Sequence, residues 1–139
     1  MGNYQELIFY QKARQVVKEV NALIESWPKT MQAQEISRQL FRSSTSVGAN
    51  IAEGHGRHQS TEYIHFLIVA QGSANETEHG LNTAKDLQIG NLEKIDKILK
   101  LNNEVVRMIT STITTIRAKQ GAKTLREDEA DYLTDTRND

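Results

Sequence analysis

Apolar residues recur at three- and four-residue steps through four long runs of this 139-residue chain. This spacing places them on one face of a helix, whereas the apolar residues of a half-buried strand would alternate at every second position. Pro28 is the only proline and aromatic residues make up 6% of the chain, a composition that does not favour sheets and their many turns. The pattern therefore predicts an all-α fold, an antiparallel up-and-down four-helix bundle.

Short breaks between the runs set the predicted helices at residues 5–27, 31–54, 60–88 and 91–119. Proline after Trp27 ends the first run, because the residue before a proline is pushed out of helical geometry. Glycines end the second and third runs. Side chains able to accept a hydrogen bond from the first turn precede the last three runs: Thr30, Ser60 and Asn91.

Residues 121–139 form a polar, acidic tail after the predicted bundle of residues 1–120. Leu125, Tyr132 and Leu133 are its only large apolar residues, so it has little surface to bury. The segment 124–127, Thr-Leu-Arg-Glu, fits a capping box. We therefore expect this tail to form either a short helix or a disordered segment.

Composition restricts the compartment and the chemistry of the protein. Cysteine is absent and no basic segment leads into an apolar run at the N-terminus, so we expect a cytoplasmic protein without disulfides, thiol chemistry or a membrane span. The formal net charge is −1, but it is unevenly distributed. Residues 1–58 hold seven Lys or Arg against five Asp or Glu, and residues 59–116 hold five against seven.

Two Glu-x-x-His motifs, Glu62 to His65 and Glu76 to His79, have the spacing that di-iron helix bundles use. They lie 14 residues apart on one predicted helix, which separates them by about 21 Å at 1.5 Å per residue. The two metals of one such site lie roughly 4 Å apart. We therefore predict no metal, no cofactor and no catalytic residue, since no activated nucleophile is evident either.

Basic side chains of the first two predicted helices form a candidate nucleic-acid contact. Arg38 and Arg42 are four residues apart and share a helix face, as do Arg14 and Lys18. Such a stripe can contact phosphates, although a solvated surface is the simpler interpretation for a monomer. The residues predicted to contact nucleic acid are Lys18, Arg38, Arg42 and Arg57.

Polar residues near the end of the second helix are interpreted as structural. Asn50 and Glu53 lie one turn apart and would need hydrogen-bond partners if buried. A network of these two with Arg42 and Glu76, inside the chain or between subunits, would satisfy them. The small residues Gly72, Ser73 and Ala74 are expected to let another helix approach closely.

The segments that hold these residues, on the second and third predicted helices, resemble the paired core motif of the 23S rRNA intervening-sequence protein family. The likeness extends over approximately residues 4–119. The residues that carry the resemblance are Gln39, Arg42, Ser46, Ala49, Asn50, Ile51, Ala52, Glu53, Gly54, Gly56, Arg57, Ala70, Gly72, Ser73 and Glu76. The resemblance implies four-helix bundles assembled as ring-shaped homopentamers. It also implies association with nucleic acid, or with an enzyme that handles it such as a reverse transcriptase, because the family includes an accessory protein of diversity-generating retroelements.

From the sequence we therefore expect a non-enzymatic, oligomeric adaptor for RNA or DNA, or for a protein that acts on them. The alternative is a purely structural or protein-interaction oligomer that does not bind nucleic acid. Neither interpretation needs a membrane or a cofactor.

Overall fold

The computed structural model of the protein describes residues 2–135. Four α-helices account for most of these residues, and no strand occurs among them, so the predicted all-α bundle is confirmed. The helices are α1 (Ile8–Glu25), α2 (Met31–His55), α3 (Ser60–Asp86) and α4 (Leu92–Asp135), preceded by one 3-10 turn (Tyr4–Glu6).

The helix ends follow the local sequence signals in most places. Thr30 Oγ1 accepts a hydrogen bond from the Ala33 backbone N–H at 3.2 Å, and Asn91 Oδ1 accepts one from Lys94 at 3.0 Å. The predicted cap at Ser60 is wrong, because Ser60 is the first residue of α3 and the preceding residue makes no side-chain capping bond.

In cross-section the four helices lie at the corners of a square, and contacts along its four sides close the bundle. Each helix packs against the helix before or after it in the chain, and α1 also packs against α4. Within residues 2–135 the diagonal pairs α1 with α3 and α2 with α4 do not approach each other. Short connections make sequence neighbours antiparallel. The largest fully buried apolar side chains come from all four helices: Val20, Leu23, Leu40, Ile51, Leu67, Leu81, Ile95, Val105 and Ile109.

Helix α4 is much longer than predicted and leaves the bundle. It continues through Gly121 to Asp135, so the tail is not a separate short helix over the part that the structure describes, and residues 136–139 lie outside that part. Ile113 is the last buried residue of α4, and the described side chains beyond Gln120 are exposed. At 1.5 Å per residue α4 is about 66 Å long, against about 40 Å for α3. None of the described helices has the length and hydrophobicity to cross a bilayer.

Candidate nucleic-acid interface

A groove about 250 Å³ in volume runs between α1 and α2 on the outside of the bundle. We call it the α1–α2 groove, and its lining residues are Tyr10, Ala13, Arg14, Val17, Lys18, Thr45, Gly48 and Ala49.

Small side chains create the space in this groove. Ala13 on α1 and Gly48 and Ala49 on α2 leave room between two helices that larger residues would fill. A Cβ at Gly48 would lie 3.4 Å from Tyr10 Cε2, which is an ordinary contact distance. A larger residue at this position would therefore begin to fill the space without colliding with α1. The groove therefore has an apolar floor that solvent can reach.

The rim of the α1–α2 groove is basic. Arg14 and Lys18 are exposed one turn apart on α1, as their spacing predicted, and no acidic residue lines the groove. Arg14 Nη1 makes a long hydrogen bond of 3.5 Å to Tyr10 Oη, and neither Arg14 nor Lys18 forms an ion pair with any described residue. Both cations are therefore available to an anionic ligand.

Two of the predicted arginines extend this basic surface along α2. Arg38 precedes the groove residue Thr45 by seven residues, which is two turns of helix, and Arg42 precedes the groove residue Ala49 by the same distance. Each arginine therefore lies on the same side of α2 as its groove residue. Arg38 Nη2 is 3.1 Å from Glu35 Oε2 in an exposed pair. Arg42 has no ion-pair partner among residues 2–135. The structure thus brings Lys18, Arg38 and Arg42 to one face of the bundle.

Arg57 lies apart from the other predicted contacts. It follows the end of α2, 15 residues beyond Arg42, and its guanidinium forms an ion pair with Glu53. Its Cζ also lies 5.0 Å from the centre of the Phe66 ring. The Glu53 carboxylate offsets the charge of Arg57, as Glu35 offsets that of Arg38, so these two residues contribute less to the positive potential of the surface than Lys18 and Arg42 do.

A second helix contact, which we call the α2–α3 seam, holds several of the predicted structural residues. The seam contains Ser43, Ser46, Asn50 and Gly54 of α2 and Phe66, Ser73, Thr77 and Gly80 of α3.

Hydroxyl groups connect the two helices of the seam. Asn50 Nδ2 donates to the Ser46 backbone oxygen at 2.8 Å and to Ser46 Oγ at 3.1 Å, and Ser73 Oγ donates to Ser46 Oγ at 2.9 Å. Ser43 Oγ and Thr77 Oγ1 share a buried hydrogen bond of 2.8 Å. Ser46 and Ser73 therefore bond across the seam, whereas the Asn50 side chain bonds back to its own helix.

The expected network of Arg42, Asn50, Glu53 and Glu76 does not form within the chain. Glu53 pairs with Arg57 instead, and the exposed side chains of Arg42 and Glu76 make no hydrogen bond to the described residues. Both side chains are exposed, whereas Ser46 and Ser73 form the hydrogen bond across the seam. A partner outside this chain would be needed to pair them.

Close helix approach depends on glycines other than Gly72. A Cβ at Gly54 would lie 2.7 Å from Phe66 Cβ, and one at Gly80 would lie 2.7 Å from Leu40 Cδ2. No atom lies within 4 Å of a Cβ at Gly72, so the expectation that Gly72 allows close packing is wrong inside the chain. Burial beside Gly54 also raises the pKa of the Tyr63 hydroxyl.

The Glu-x-x-His residues lie on the outside of α3. Glu62, His65, Glu76 and His79 are all exposed, and no three His, Asp or Glu side chains converge on a common point in the described part of the chain. Their arrangement offers solvated side chains and no assembled site for chemistry.

Comparison with known proteins places this fold in a family. The family model of the 23S rRNA-intervening sequence proteins, which describes the sequences of that family, matches residues 5–111 of this chain. The chain is also similar to a crystal structure of a protein with unknown function from the S23 ribosomal protein family of Bacteroides thetaiotaomicron VPI-5482, with 26% identity and a TM-score of 0.65. That match covers 76% of this chain and 98% of the other. Among curated proteins there is no match.

Neither the description of the family nor that of the similar structure names an enzymatic activity. The family match ends at residue 111, inside α4, so it includes the α1–α2 groove and the α2–α3 seam but not the end of α4. Because the match spans most of the chain and the four-helix fold agrees with it, this protein belongs to the 23S rRNA-intervening sequence protein family.

Proposed function

We propose that this protein is a non-enzymatic, oligomeric adaptor that associates with RNA or DNA through the basic face of α1 and α2. The observation that carries the proposal is the set of three exposed cations, Arg14, Lys18 and Arg42, which form no ion pair with the described residues. Paired surface charges attract phosphates weakly, whereas unpaired cations release counterions from a nucleic acid on binding.

The shape of this face favours contact with a phosphate backbone over recognition of bases. The basic rim borders a shallow groove with an apolar floor, and no acidic lining residue opposes an anion there. Binding is therefore expected to be independent of sequence and strongly dependent on salt.

Oligomerisation would place several copies of the basic face of α1 and α2 in one assembly. We propose the homopentamer that the sequence resemblance implies. On the outside of α3 the apolar residues Ile68 and Val69 are 45% and 40% exposed beside the unobstructed Gly72. Arg42 and Glu76 are also exposed and form no ion pair with the described residues. A ring would repeat the basic face around its axis, and simultaneous contacts along one strand would raise the affinity.

The proposed partners are therefore other copies of the chain, RNA or DNA, and a protein that acts on nucleic acid, such as a reverse transcriptase. We place this action in the cytoplasm, since the sequence has no cysteine for the disulfides common in small secreted domains. No membrane has a part in the proposal.

Fluorescence anisotropy with labelled single-stranded RNA and duplex DNA tests the proposal. Reversing two charges of the groove, Arg14→Glu with Lys18→Glu, should weaken binding at low salt by about tenfold or more, because two phosphate contacts become repulsive. The matched control is Lys100→Glu with Arg107→Glu on the exposed side of α4. These two cations lie outside the groove and near Glu104, whose pKa is lowered by Lys12 and by these two, so this variant should bind nearly as the unmodified protein does. Arg57→Glu should have a smaller effect than Arg42→Glu, since Glu53 already offsets Arg57.

Light scattering on each variant would confirm that its oligomeric state is unchanged. Absence of binding at tens of micromolar protein and low salt would contradict the proposal, as would equal loss in the groove and control variants. Either result would favour the second candidate function, a structural or protein-interaction oligomer. The exposed apolar patch of Ile68 and Val69 is the observation that supports that alternative.

A further inference from the structure

A cleft separate from the α1–α2 groove lies between α1 and the beginning of α4. It has a volume of about 200 Å³, and we call it the α1–α4 cleft. Leu23 and Ile98 are buried and form its apolar floor, whereas the two lysines at its rim are exposed. Its lining residues, none of which lines the α1–α2 groove, are Glu19, Ala22 and Leu23 of α1 and Lys94, Lys97 and Ile98 of α4.

The carboxylate of Glu19 is incompletely paired in this cleft. Its Oε2 atom is shielded from solvent and has no hydrogen-bond partner among the described residues. Its Oε1 atom lies 3.6 Å from Lys97 Nζ, which is too far for a good hydrogen bond, and the side chain of Lys97 is 77% exposed. An ionised carboxylate only accepts hydrogen bonds. The group that would complete the environment of Oε2 is therefore an N–H or O–H donor.

One other buried side-chain atom of the described residues has no partner, and its surroundings differ. This atom is Nε1 of Trp27, which packs against Gly90 so closely that a Cβ there would collide with it. The contact leaves no room for a ligand atom between the two residues. Glu19 Oε2, in contrast, belongs to a residue that lines an open cleft.

The charge of the lining favours an anion. It holds two lysines and one glutamate, which gives a net charge of +1. Lys94 forms no ion pair with a described residue, and Lys97 forms only the loose one with Glu19. A cationic amine would be repelled by both lysines. A metal ion would meet a single carboxylate, and no group of three His, Asp or Glu side chains converges within the described residues.

The size of the cleft limits the ligand. Pockets for drug-sized molecules usually have volumes of about 300 to 1,000 Å³, so about 200 Å³ suits a body of about one ring. Such a body would contact Leu23 and Ile98 on the floor and Ala22 at the edge. A donor and a negative charge carried on this body would then meet Glu19 and Lys94 respectively.

We propose that the α1–α4 cleft binds a small organic anion that carries an uncharged N–H or O–H donor on an apolar body. The donor would bond to Glu19 Oε2, the body would lie against Leu23 and Ile98, and the anionic group would pair with Lys94. Lys97 adds positive charge at the rim while it stays near Glu19. The ligand is a free small molecule, so the proposal does not rest on nucleic-acid binding.

The alternative role of Glu19 is structural, as the partner of Lys97. An ion pair with an exposed lysine contributes little to stability, and the desolvation of Oε2 opposes folding. A structural role predicts that removal of the carboxylate destabilises the protein. A ligand-binding role predicts that it does not, because a residue retained for binding often carries a cost in stability.

Three matched probes test the recognition in nuclear magnetic resonance titrations of isotope-labelled full-length protein at neutral pH. The first, para-aminobenzoate, has the donor, the ring and the negative charge. In para-methylbenzoate a methyl group of similar size replaces the amine, and in para-aminobenzamide an uncharged amide replaces the carboxylate. We expect a Kd of about 1 mM for para-aminobenzoate, because the ligand is so small, and values about tenfold higher for the other two. The chemical-shift changes should centre on Leu23, Lys94 and Ile98.

Glu19→Met tests the carboxylate, because methionine has a similar length and no charge. In this variant para-aminobenzoate should bind no more tightly than para-methylbenzoate. The matched control is Glu25→Met, which changes an exposed glutamate of the same helix outside the cleft and should keep the preference of about tenfold. An unchanged preference in Glu19→Met, or an equal loss in Glu25→Met, would overturn the proposal.

Two further variants test the anionic group and the apolar body. Lys94→Gln should weaken binding of para-aminobenzoate about threefold and leave para-aminobenzamide unchanged, since only the first probe carries the charge that Lys94 attracts. Its control is Lys100→Gln, on the exposed side of α4 outside the cleft, which should change neither. Ala22→Leu would fill the cleft from an exposed position and should weaken all three probes. Equal effects of the two lysine variants, or unchanged binding to the Ala22→Leu protein, would contradict the proposed site.

Thermal unfolding followed by circular dichroism separates the two roles of Glu19. Without ligand, Glu19→Met should lower Tm by no more than about 2 °C, as is usual for substitutions outside the core. Addition of para-aminobenzoate at about ten times its Kd should raise the Tm of the unmodified protein by about 4 °C and that of Glu19→Met by less.

A much larger fall in Tm for Glu19→Met would assign the residue to stability and overturn the proposal. So would the absence of any chemical-shift change with about 20 mM para-aminobenzoate, which is far above the expected Kd. Nucleic-acid affinity does not enter these measurements, so the small-molecule site can fail while the proposed function stands, and the reverse also holds.

Discussion

The α2–α3 seam and the α1–α2 groove use small residues on the same helix with opposite results. At the seam Gly54 removes the side chain that would collide with Phe66, and the two helices pack tightly around it. At the groove Gly48 and Ala49 lie beside α1 without such a collision, and space remains open to solvent. A small residue therefore permits close packing only where the neighbouring helix fills the space.

This difference also separates the polar groups of the two regions. The hydroxyls of the seam are matched to each other, as in the pair of Ser43 and Thr77. The cations of the groove, Arg14 and Lys18, have no matching acid among the described residues. We infer that the seam contributes to stability and that the groove is the surface available for binding.

The largest expected effect separates the two glycines of α2. Gly54→Ala should destabilise the protein by about 2 kcal/mol, because its Cβ would lie 2.7 Å from Phe66 Cβ and the overpacking outweighs the better helix propensity. Gly48→Ala should instead stabilise the protein by up to about 1 kcal/mol, since it gains helix propensity without a clash. Urea unfolding followed by circular dichroism measures both.

A third substitution, Gly72→Ala, checks the interpretation of these two. Nothing lies within 4 Å of a Cβ at Gly72, so its effect on the free energy of unfolding should have the same sign as that of Gly48→Ala. If all three alanines stabilised the protein equally, the seam would not be more tightly packed than the groove. The comparison between the two regions would then be wrong.

A smaller effect is expected from the threonines. Thr77→Val should cost about 1 kcal/mol, because the buried hydrogen bonds of Thr77 with Ser43 and with the Ser73 backbone oxygen are lost without a change of shape. Thr45→Val on the groove should change stability by less than about 0.5 kcal/mol, as is usual for exposed positions. Thermal unfolding of the two variants side by side measures the difference. A larger loss for Thr45→Val would reverse the assignment of the two regions.

The parts of the structure that sequence predicted are those fixed by local interactions. Apolar spacing predicted the four helices, and the caps at Thr30 and Asn91 formed because each depends on residues within one turn. The pairing of Arg14 and Lys18 on one face likewise follows from their four-residue spacing.

What sequence did not predict depends on how helices face one another. Gly54 and Gly80 could not be distinguished from Gly72 without knowing which side of each helix meets a neighbour. The groove itself requires the rotation and register of α1 against α2. The continuation of α4 through Gly121 was missed because glycine costs a helix only about 1 kcal/mol relative to alanine, so a glycine need not end one.

The smallest expected effect concerns the ionisation of Tyr63, which lies beside Gly54 of the seam. Burial disfavours the phenolate, so the pKa of Tyr63 lies above its ordinary value of 10.0 in the folded protein. The unfolded chain therefore loses this proton at a lower pH than the folded chain does, and stability falls as pH rises past about 10. Tyr63→Phe should make this alkaline decline shallower. The dependence of the stability on pH near neutrality should be unchanged. Urea midpoints between about pH 8 and pH 11, with phenolate absorbance recorded in parallel, measure the effect. An identical alkaline decline in both proteins would mean that solvent reaches Tyr63 freely, which would weaken the contrast between a closed seam and an open groove.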